Sequence, residues 1–192
     1  TKFMGFLSIL HQIKQQQNEL RILTIGLDNS GKTTTIKALL DQDLSTIEPT
    51  LGFSIFTTKL NDFTLNIWDV GGQKTIRTYW RNYYENTDGL VWIIDSADRR
   101  RFPLCKQALR EVLQAERLMG APLLVVANKQ DVEGAMTASE ISTLLGEFEN
   151  RKVKVIGCSA IKKLGVKDAF QWLMEAIGER CDRKEDDLEI IW

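Results

Sequence analysis

The sequence predicts an α/β fold: a six-stranded, mostly parallel sheet with one antiparallel edge strand and with helices on both faces. Short apolar runs alternate along the chain with segments of helical periodicity, an order that is typical of parallel sheets. Near the start of this alternation, two segments of alternating polarity are joined by a short Asn-Asp connection. That pattern is typical of an antiparallel hairpin, which supplies the edge strand.

The predicted elements follow this alternation in order. Four buried strands are predicted where apolar runs are bounded by polar or turn residues, at 20–25, 90–95, 123–127 and 153–158. The hairpin strands are predicted at 52–59 and 64–70, with Asn61 and Asp62 between them. The clearest helical patterns lie at 34–40, 106–119 and 166–178.

Length and composition indicate one globular domain. The chain has 192 residues, of which 43% are hydrophobic and 27% are charged, as in ordinary folded proteins. Its net charge of −1 provides no broad attraction for nucleic acid. Three scattered cysteines and a single histidine cannot form a zinc cluster, and the apolar runs are too short to span a bilayer. We therefore expect a cytoplasmic monomer with at most peripheral contact to membranes or the cytoskeleton.

Two appendages flank the domain, which is predicted at residues 19–181. Residues 1–18 are predicted to form an amphipathic helix, because apolar residues fall on one helical face at Phe3, Phe6, Leu7, Leu10 and Ile13. This face either packs permanently on the core or detaches from it. Gly5 fits a myristoylation signal only in part, because Ile9 stands where a hydroxyl residue belongs. Residues 182–192 are acidic and then apolar, and we predict a flexible tail there.

A phosphate-binding motif follows the first predicted strand. The octet from Gly26 to Thr33 fits G-x-x-x-x-G-K-[ST], in which backbone amides wrap a polyphosphate. A predicted helix begins directly after it, so the helix N-terminus faces the anion. The residues predicted to contact a nucleotide here are Gly26, Asp28, Asn29, Ser30, Gly31, Lys32, Thr33 and Thr34. The alternative is a glycine-rich turn with a solvated lysine.

The end of the second hairpin strand adds groups suited to a triphosphate. Asp69 lies at the strand end, and Gly71, Gly72 and Gln73 follow it. Glycines at this place can approach a γ-phosphate closely, and a glutamine can orient a water molecule. The segment therefore predicts hydrolysis as well as binding.

Two further strand ends carry groups that can recognise a base. Asn128, Lys129 and Asp131 follow one strand, and a carboxylate there can accept both the ring N–H and the exocyclic amine of guanine. Ser159 and Ala160 follow another strand and offer backbone N–H groups to the guanine carbonyl. Taken alone, Asn-Lys-x-Asp is more typical of a surface turn. Together with the phosphate motif it favours GTP or GDP as the ligand.

In these motifs the chain resembles the Ras-like small GTPases and, among them, the ADP-ribosylation-factor and Arf-like family. The resemblance covers residues 5–180 and rests on the segments 26–34, 49–53 and 68–73. It implies the Ras-like P-loop NTPase fold. It also implies the hydrolysis of GTP to GDP and phosphate.

The same resemblance assigns roles to individual residues. Lys32 would contact the β- and γ-phosphates, and Gly72 would donate its N–H to the γ-phosphate. Gln73 would be the catalytic residue that positions the attacking water. Mg²⁺ would be held by Thr33, Thr50 and Asp69, with Thr50 reaching the metal only while the γ-phosphate is present.

Two details predict a slow intrinsic rate. Asp28 stands where the Ras pattern has glycine, which puts a carboxylate near the reacting phosphate and crowds the space that a glutamine and an arginine would share. Residues 44–49 contain no arginine, so an arginine finger within the chain is missing. We therefore predict that an activating protein supplies an arginine in trans.

The resemblance also implies partners. Phe53, Trp68 and Tyr83 would form an aromatic effector patch, although aromatic residues on half-buried strands usually belong to the core. A neighbouring basic cluster either steers acidic effectors or is a solvated helix face: Lys74, Arg77 and Arg81. The expected partners are an exchange factor, a GTPase-activating protein, a carrier of prenylated cargo and a tubulin-folding cofactor.

Two other classes of function fit parts of the sequence. A nucleotide-locked binding module would hold GTP without useful hydrolysis, but the intact Gln73 argues against it. A P-loop kinase would need an arginine-rich lid, which is not evident, and it would have no need of the motif from Asn128 to Asp131. The sequence therefore favours a switch that binds and hydrolyses GTP.

Overall fold

Six strands and five α-helices make up the part of the chain that the computed structural model describes, residues 19–60 and 63–189. The strands are β1 (Glu19–Ile25), β2 (Phe53–Leu60), β3 (Phe63–Val70), β4 (Gly89–Asp95), β5 (Leu123–Asn128) and β6 (Val153–Gly157). The α-helices are α1 (Lys32–Leu39), α2 (Lys74–Arg77), α3 (Phe102–Leu113), α4 (Ala138–Leu145) and α5 (Val166–Glu189). Short 3-10 helices lie at Trp80–Tyr83, Arg99–Arg101 and Glu116–Leu118.

The sheet has the strand order β2-β3-β1-β4-β5-β6. β2 pairs antiparallel with β3, and all the other neighbouring strands are parallel, so the predicted fold class is confirmed. Because β1, β3, β4, β5 and β6 point the same way, the loops that follow them emerge at one edge of the sheet. That edge brings together segments that are distant in sequence.

The core lies in two layers, one on each face of the sheet. The alternation of side chains along β4 directs Leu90, Trp92 and Ile94 towards α3 and α4, while Val91 and Ile93 face α1 and α5. All five side chains are at most 2% exposed. This two-sided burial explains why β4 is an unbroken apolar run, whereas the exposed edge strand β2 alternates in polarity.

Several boundaries differ from the prediction. α3 begins at Phe102 rather than residue 106, because Pro103 is accommodated in its first turn. α4, which was not among the predicted helices, begins with a capping box between Thr137 and Glu140. α5 continues to Glu189, past the predicted end at residue 178, because the charged residues that follow its apolar stripe have good helix propensity. Most of the predicted tail therefore has a helical backbone.

Some predictions fall on residues that are not described. The amphipathic helix predicted at residues 1–18, including Gly5, lies outside the described residues, as do Asn61, Asp62 and residues 190–192. Within the described residues, no helix is both long and apolar enough to cross a membrane.

Candidate functional site

The candidate site is an open cleft of about 340 Å³ at the edge where the parallel strands end. The loop between β1 and α1 forms one wall, and the segments 47–50 and 71–73 form the other. Asn29, Thr34 and Gln73 are among the predicted site residues that line it. The fold thus brings both predicted phosphate-contacting segments together.

Two glycines determine the path of the phosphate loop. Gly26 has a φ of 149°, and a Cβ there would lie 2.4 Å from the Ile93 carbonyl oxygen. Gly31 has a φ of 90°, and a Cβ there would lie 2.3 Å from Nδ2 of Asn128. No other residue type fits either position, because both the backbone conformation and the space exclude a side chain. α1 begins directly after the loop, so its first N–H groups face the cleft.

Lys32 is held inside the loop rather than extended into solvent. Its ammonium group donates to the carbonyl oxygens of Gly26 at 3.2 Å and Leu27 at 2.9 Å. Burial lowers the pKa of Lys32 to about 8, although the negative charges of Asp69 and Asp28 oppose that shift. The solvated-lysine alternative therefore does not describe this structure.

The three predicted metal ligands meet at the base of the cleft. The hydroxyl of Thr33 donates to Oδ2 of Asp69 at 2.7 Å, and the hydroxyl of Thr50 donates to the same oxygen at 3.1 Å. The two hydroxyl oxygens lie 2.9 Å apart. Burial raises the pKa of Asp69 in spite of these hydrogen bonds and the nearby charge of Lys32. Its other oxygen, Oδ1, is buried without a hydrogen-bond partner among the described residues.

The glycine pair after β3 packs directly on the phosphate loop. A Cβ at Gly72 would lie 2.3 Å from the Gly26 carbonyl oxygen and 2.5 Å from the Asp28 nitrogen, so only glycine allows this approach. The Asp28 N–H donates to the Gly72 carbonyl at 3.2 Å, and the Gly71 N–H donates to the Gly52 carbonyl at 2.9 Å. These contacts place Gln73, the residue before α2, at the cleft.

Two arginines contact the phosphate loop, and the sequence did not predict either contact. Arg77 donates from Nε to the Gly72 carbonyl at 2.7 Å and from Nη2 to Oδ1 of Asp28 at 2.9 Å. Arg101 donates from Nη1 to Oδ2 of Asp28 at 3.0 Å. Lys74 and Arg81, the other members of the predicted basic cluster, are exposed. Arg77 thus belongs to the site, and no local sequence signal identified Arg101.

These contacts give Asp28 partners that the sequence did not predict. Asp28 lines the cleft, as expected of a carboxylate near the reacting phosphate, and both of its oxygens are engaged by arginines. Burial by itself would raise the pKa of Asp28, whereas the hydrogen bond from Arg101 and the two positive charges lower it below its ordinary value. The carboxylate is therefore ionised at neutral pH.

The base-recognition motif is held by Asn128, whose residue surface is 2% exposed. Its Nδ2 donates to the Ser30 carbonyl at 2.9 Å, and its Oδ1 accepts the Ala160 N–H at 3.0 Å. Asn128 thus ties the phosphate loop to the loop after β6. Lys129 is paired with Asp95, with 2.6 Å between Nζ and Oδ2.

Asp131 faces solvent beside this motif and is available to a base. The Ser159 hydroxyl donates to its Oδ1 at 2.5 Å, and this bond is the main reason that the pKa of Asp131 lies below its ordinary value. Both backbone donors predicted for the guanine carbonyl already have partners within the protein: the Ser159 N–H donates to the Leu164 carbonyl, and the Ala160 N–H donates to Oδ1 of Asn128. Their role towards the base stays a prediction.

The predicted effector residues form one aromatic cluster. The ring of Phe53 stacks on Trp68 with centroids 5.4 Å apart, and it lies 5.3 Å from the ring of Tyr83. Arg21 covers the Trp68 ring at 3.8 Å from its centroid. Phe53 is 47% exposed, whereas Trp68 and Tyr83 pack partly against the core. Trp68 and Tyr83 therefore have partly the character of core residues, and the effector role of the cluster stays a prediction.

Comparison with known protein families gives the family directly. The model of the ADP-ribosylation factor family matches residues 6–177 of this chain. The chain belongs to the ADP-ribosylation factor family. It is an Arf-family small GTPase, which binds guanine nucleotide, hydrolyses GTP and acts as a molecular switch with exchange factors, activating proteins and effectors.

The similar relatives of this Arf-family GTPase are mainly Arf-like. It is 52% identical to ADP-ribosylation factor-like protein 2 of Arabidopsis thaliana, over 92% of this chain and 97% of that protein. It is 49% identical to the Dictyostelium discoideum protein of the same name, over 93% and 98% of the two chains. Within the family, the chain is therefore similar to ADP-ribosylation factor-like protein 2 at about half of the aligned positions.

A solved structure of another small GTPase has the same fold. The Arl6 BBS3 small GTPase of Trypanosoma brucei, determined with the bound nucleotide analogue GppNp, is 31% identical to this chain. The match has a TM-score of 0.77 and covers 84% of this chain and 98% of the other.

Proposed function

We propose that this Arf-family GTPase senses the γ-phosphate of GTP through Thr50 and Gly72 and hydrolyses it with the help of Gln73. The observation that carries the proposal is the meeting of Thr33, Thr50 and Asp69 within hydrogen-bond distance. Thr50 comes from the loop before β2, yet its hydroxyl lies within hydrogen-bond distance of both Thr33 and Asp69. A metal ligand shared by these three groups would account for their convergence.

The chemistry of this cluster suits Mg²⁺. Two hydroxyls and one carboxylate form an all-oxygen donor set of the kind that Mg²⁺ prefers. Oδ1 of Asp69 is buried and has no hydrogen-bond partner in the described part of the chain, which supports this fit, because a metal ion and its water shell would satisfy it. When bound, the metal would neutralise charge on the β- and γ-phosphates.

The remaining groups fit a positioning role in hydrolysis. Lys32 lies beside the phosphate loop, where its charge would meet the β- and γ-phosphates. The Gly72 N–H would bind the γ-phosphate, and Gln73 would orient the attacking water. Arg77 and Arg101 reach the phosphate loop but are paired with Asp28. We therefore propose a low intrinsic rate and an arginine supplied in trans by an activating protein.

The guanine-reading role of Asp131 can be tested through base preference. Asp131→Asn replaces an acceptor with an amide that can donate to the second carbonyl of xanthine. The variant should lose affinity for GDP by roughly a hundredfold or more and gain affinity for xanthosine diphosphate. Glu133→Gln removes an equal charge from the same exposed loop and should leave the preference unchanged. Unchanged GDP affinity in Asp131→Asn would refute the assignment.

We also propose specific partners. The similarity to Arf-like protein two supports a carrier of prenylated cargo and a tubulin-folding cofactor as effectors of the GTP state in the cytoplasm. The effector surface would be the aromatic cluster of Phe53, Trp68 and Tyr83. In the full chain, residues 1–18 and 182–192 would act as appendages of the domain at 19–181.

The effector proposal predicts state-dependent capture of a purified prenyl-cargo carrier. The GppNp-loaded protein should retain the carrier, and the GDP-loaded protein should not. Trp68→Ala should reduce the retention at least tenfold, while Trp172→Ala, which removes a partly buried tryptophan near Lys154, should not. Equal retention in both nucleotide states would refute an effector role for this carrier.

A further inference from the structure

We propose that Asp28 and Arg77 form a positioning pair that fixes Gly72 against the phosphate loop. Three contacts close a ring between these residues. The Gly72 carbonyl accepts the Asp28 N–H at 3.2 Å and Nε of Arg77 at 2.7 Å, and Arg77 Nη2 donates to Oδ1 of Asp28 at 2.9 Å. Arg77 therefore joins a backbone carbonyl of the segment after β3 to a carboxylate of the phosphate loop.

Arg101 makes the Asp28 end of this ring rigid. It donates to Oδ2 of Asp28 at 3.0 Å and to the Asp28 carbonyl at 3.2 Å. Its Nε donates to Oδ2 of Asp98 at 2.6 Å, and Asp98 is the residue before the 3-10 helix Arg99–Arg101 that leads into α3. Asp28 thus presents Oδ1 to Arg77 from a fixed position, while Arg77 lies on the short helix α2 next to Gln73.

The geometry of the ring requires a guanidinium group. Nε and Nη2 of Arg77 bond two different acceptors at once, in the planar fork that arginine has and lysine lacks. The Arg77 side chain is only 18% exposed, although that of Asp28 is 43% exposed. Because solvent partly screens the two charges, the contribution of this ion pair to stability is moderate.

The ring exists only while Gly72 lies beside the phosphate loop. Any arrangement that moves Gly72 away from Asp28 separates the two acceptors that Arg77 bridges. The pair therefore adds stability selectively to the state in which the Gly72 N–H can meet a γ-phosphate. Because Gln73 follows Gly72 directly, the same contacts would also steady the water-positioning residue. The inference rests on the proposed role of Gly72.

The test is a double-mutant cycle on nucleotide preference. Affinities for GDP and for GppNp would be measured for the wild type, Arg77→Ala, Asp28→Ala and the double variant. Each single change should lower the affinity for GppNp relative to GDP by roughly three- to tenfold. The double variant should lose little more, because both changes break the same ring. Arg77→Lys should behave like Arg77→Ala.

Two controls separate this role from others. Arg81→Ala removes an exposed cation one turn further along and should leave the preference unchanged. A merely structural role for Arg77 predicts that both affinities fall by the same factor, and this result would overturn the inference. Additive effects in the double variant would also overturn it. If Gly72→Ala leaves the preference for GppNp over GDP unchanged, the proposed γ-phosphate role of Gly72 fails. If Gly72→Ala shifts this preference and Arg77→Ala does not, only the positioning role of the Asp28–Arg77 pair fails.

Discussion

The substitution Asn128→Ala should lower both the stability of the fold and the affinity for nucleotide. The Asn128 side chain links the phosphate loop to the loop after β6. The change removes one hydrogen bond to the Ser30 carbonyl and one from the Ala160 N–H. Ser30 and Ala160 are 1% and 2% exposed, so water has little access to the groups left behind. Each buried partner without a hydrogen bond costs about 1–3 kcal/mol. The expected loss in the free energy of unfolding is therefore about 2–6 kcal/mol.

Urea unfolding at two GDP concentrations would separate the two effects. A bound ligand raises the free energy of unfolding by an amount set by its concentration relative to Kd. The change in this free energy between the two GDP concentrations therefore reports the affinity for GDP. The loss of stability that this change does not account for reports the effect on the fold. Gln130→Ala is the matched control from the same motif, since it removes a single hydrogen bond to the Met136 carbonyl. The control leaves one buried group without its partner instead of two, so it should cost about half as much, about 1–3 kcal/mol. If Asn128→Ala loses no more stability than Gln130→Ala, Asn128 does not link the loops as described.

Two other changes test neighbouring parts of the structure. Gly72→Ala should reduce the affinity for GppNp relative to GDP by roughly tenfold or more, because the added Cβ would lie within 2.5 Å of phosphate-loop backbone atoms. The control is Gly178→Ala, whose added Cβ would meet no atoms within 4 Å. Burial raises the pKa of Cys105 to about 11 and of Cys158 to about 12, so both thiols stay neutral in the folded protein well above the ordinary thiol pKa. The unfolded chain ionises these thiols first, so urea titrations should show the free energy of unfolding falling between about pH 8.5 and 10, by up to about 1.4 kcal/mol per thiol and pH unit. A Cys105→Ala/Cys158→Ala variant with an equally steep pH dependence would contradict the second prediction.

The kind of sheet, mostly parallel with an antiparallel edge strand, was predictable because burial on both faces leaves a clear signal in the sequence. The apolar runs of β4 and β5 are too long and too uniform for surface strands, and the alternation in β2 is typical of an edge. The ends of helices were less predictable where the helix extends beyond its apolar periodic pattern. Pro103 was accommodated inside the first turn of α3, and charged residues prolonged α5 beyond its apolar stripe.

The candidate site was predictable to the extent that its groups belong to short motifs. Lys32, Thr33 and Asp69 stand at positions that a local pattern defines, and the fold brings them together. Thr50 was predicted only through the family resemblance of the segment 49–53, and Arg101 lies in a segment where nothing local indicates the contact. Arg101 meets Asp28 across 73 positions of sequence, and only the packing of α3 beside the phosphate loop creates that pair. The hydrogen bond from the Ala160 N–H to Asn128 likewise depends on tertiary packing, which no local pattern indicates.

The most direct test of the central claim is the single-turnover hydrolysis of bound GTP, followed by phosphate release from the wild type and from Gln73→Leu. Without an activating protein, we predict slow phosphate release from the wild type, at a rate well below roughly several per second. Gln73→Leu should still bind GTP but release phosphate at least roughly a hundredfold more slowly. Release at equal rates from both proteins would contradict this prediction, because the residue placed at the γ-phosphate edge of the cleft would then have no part in hydrolysis.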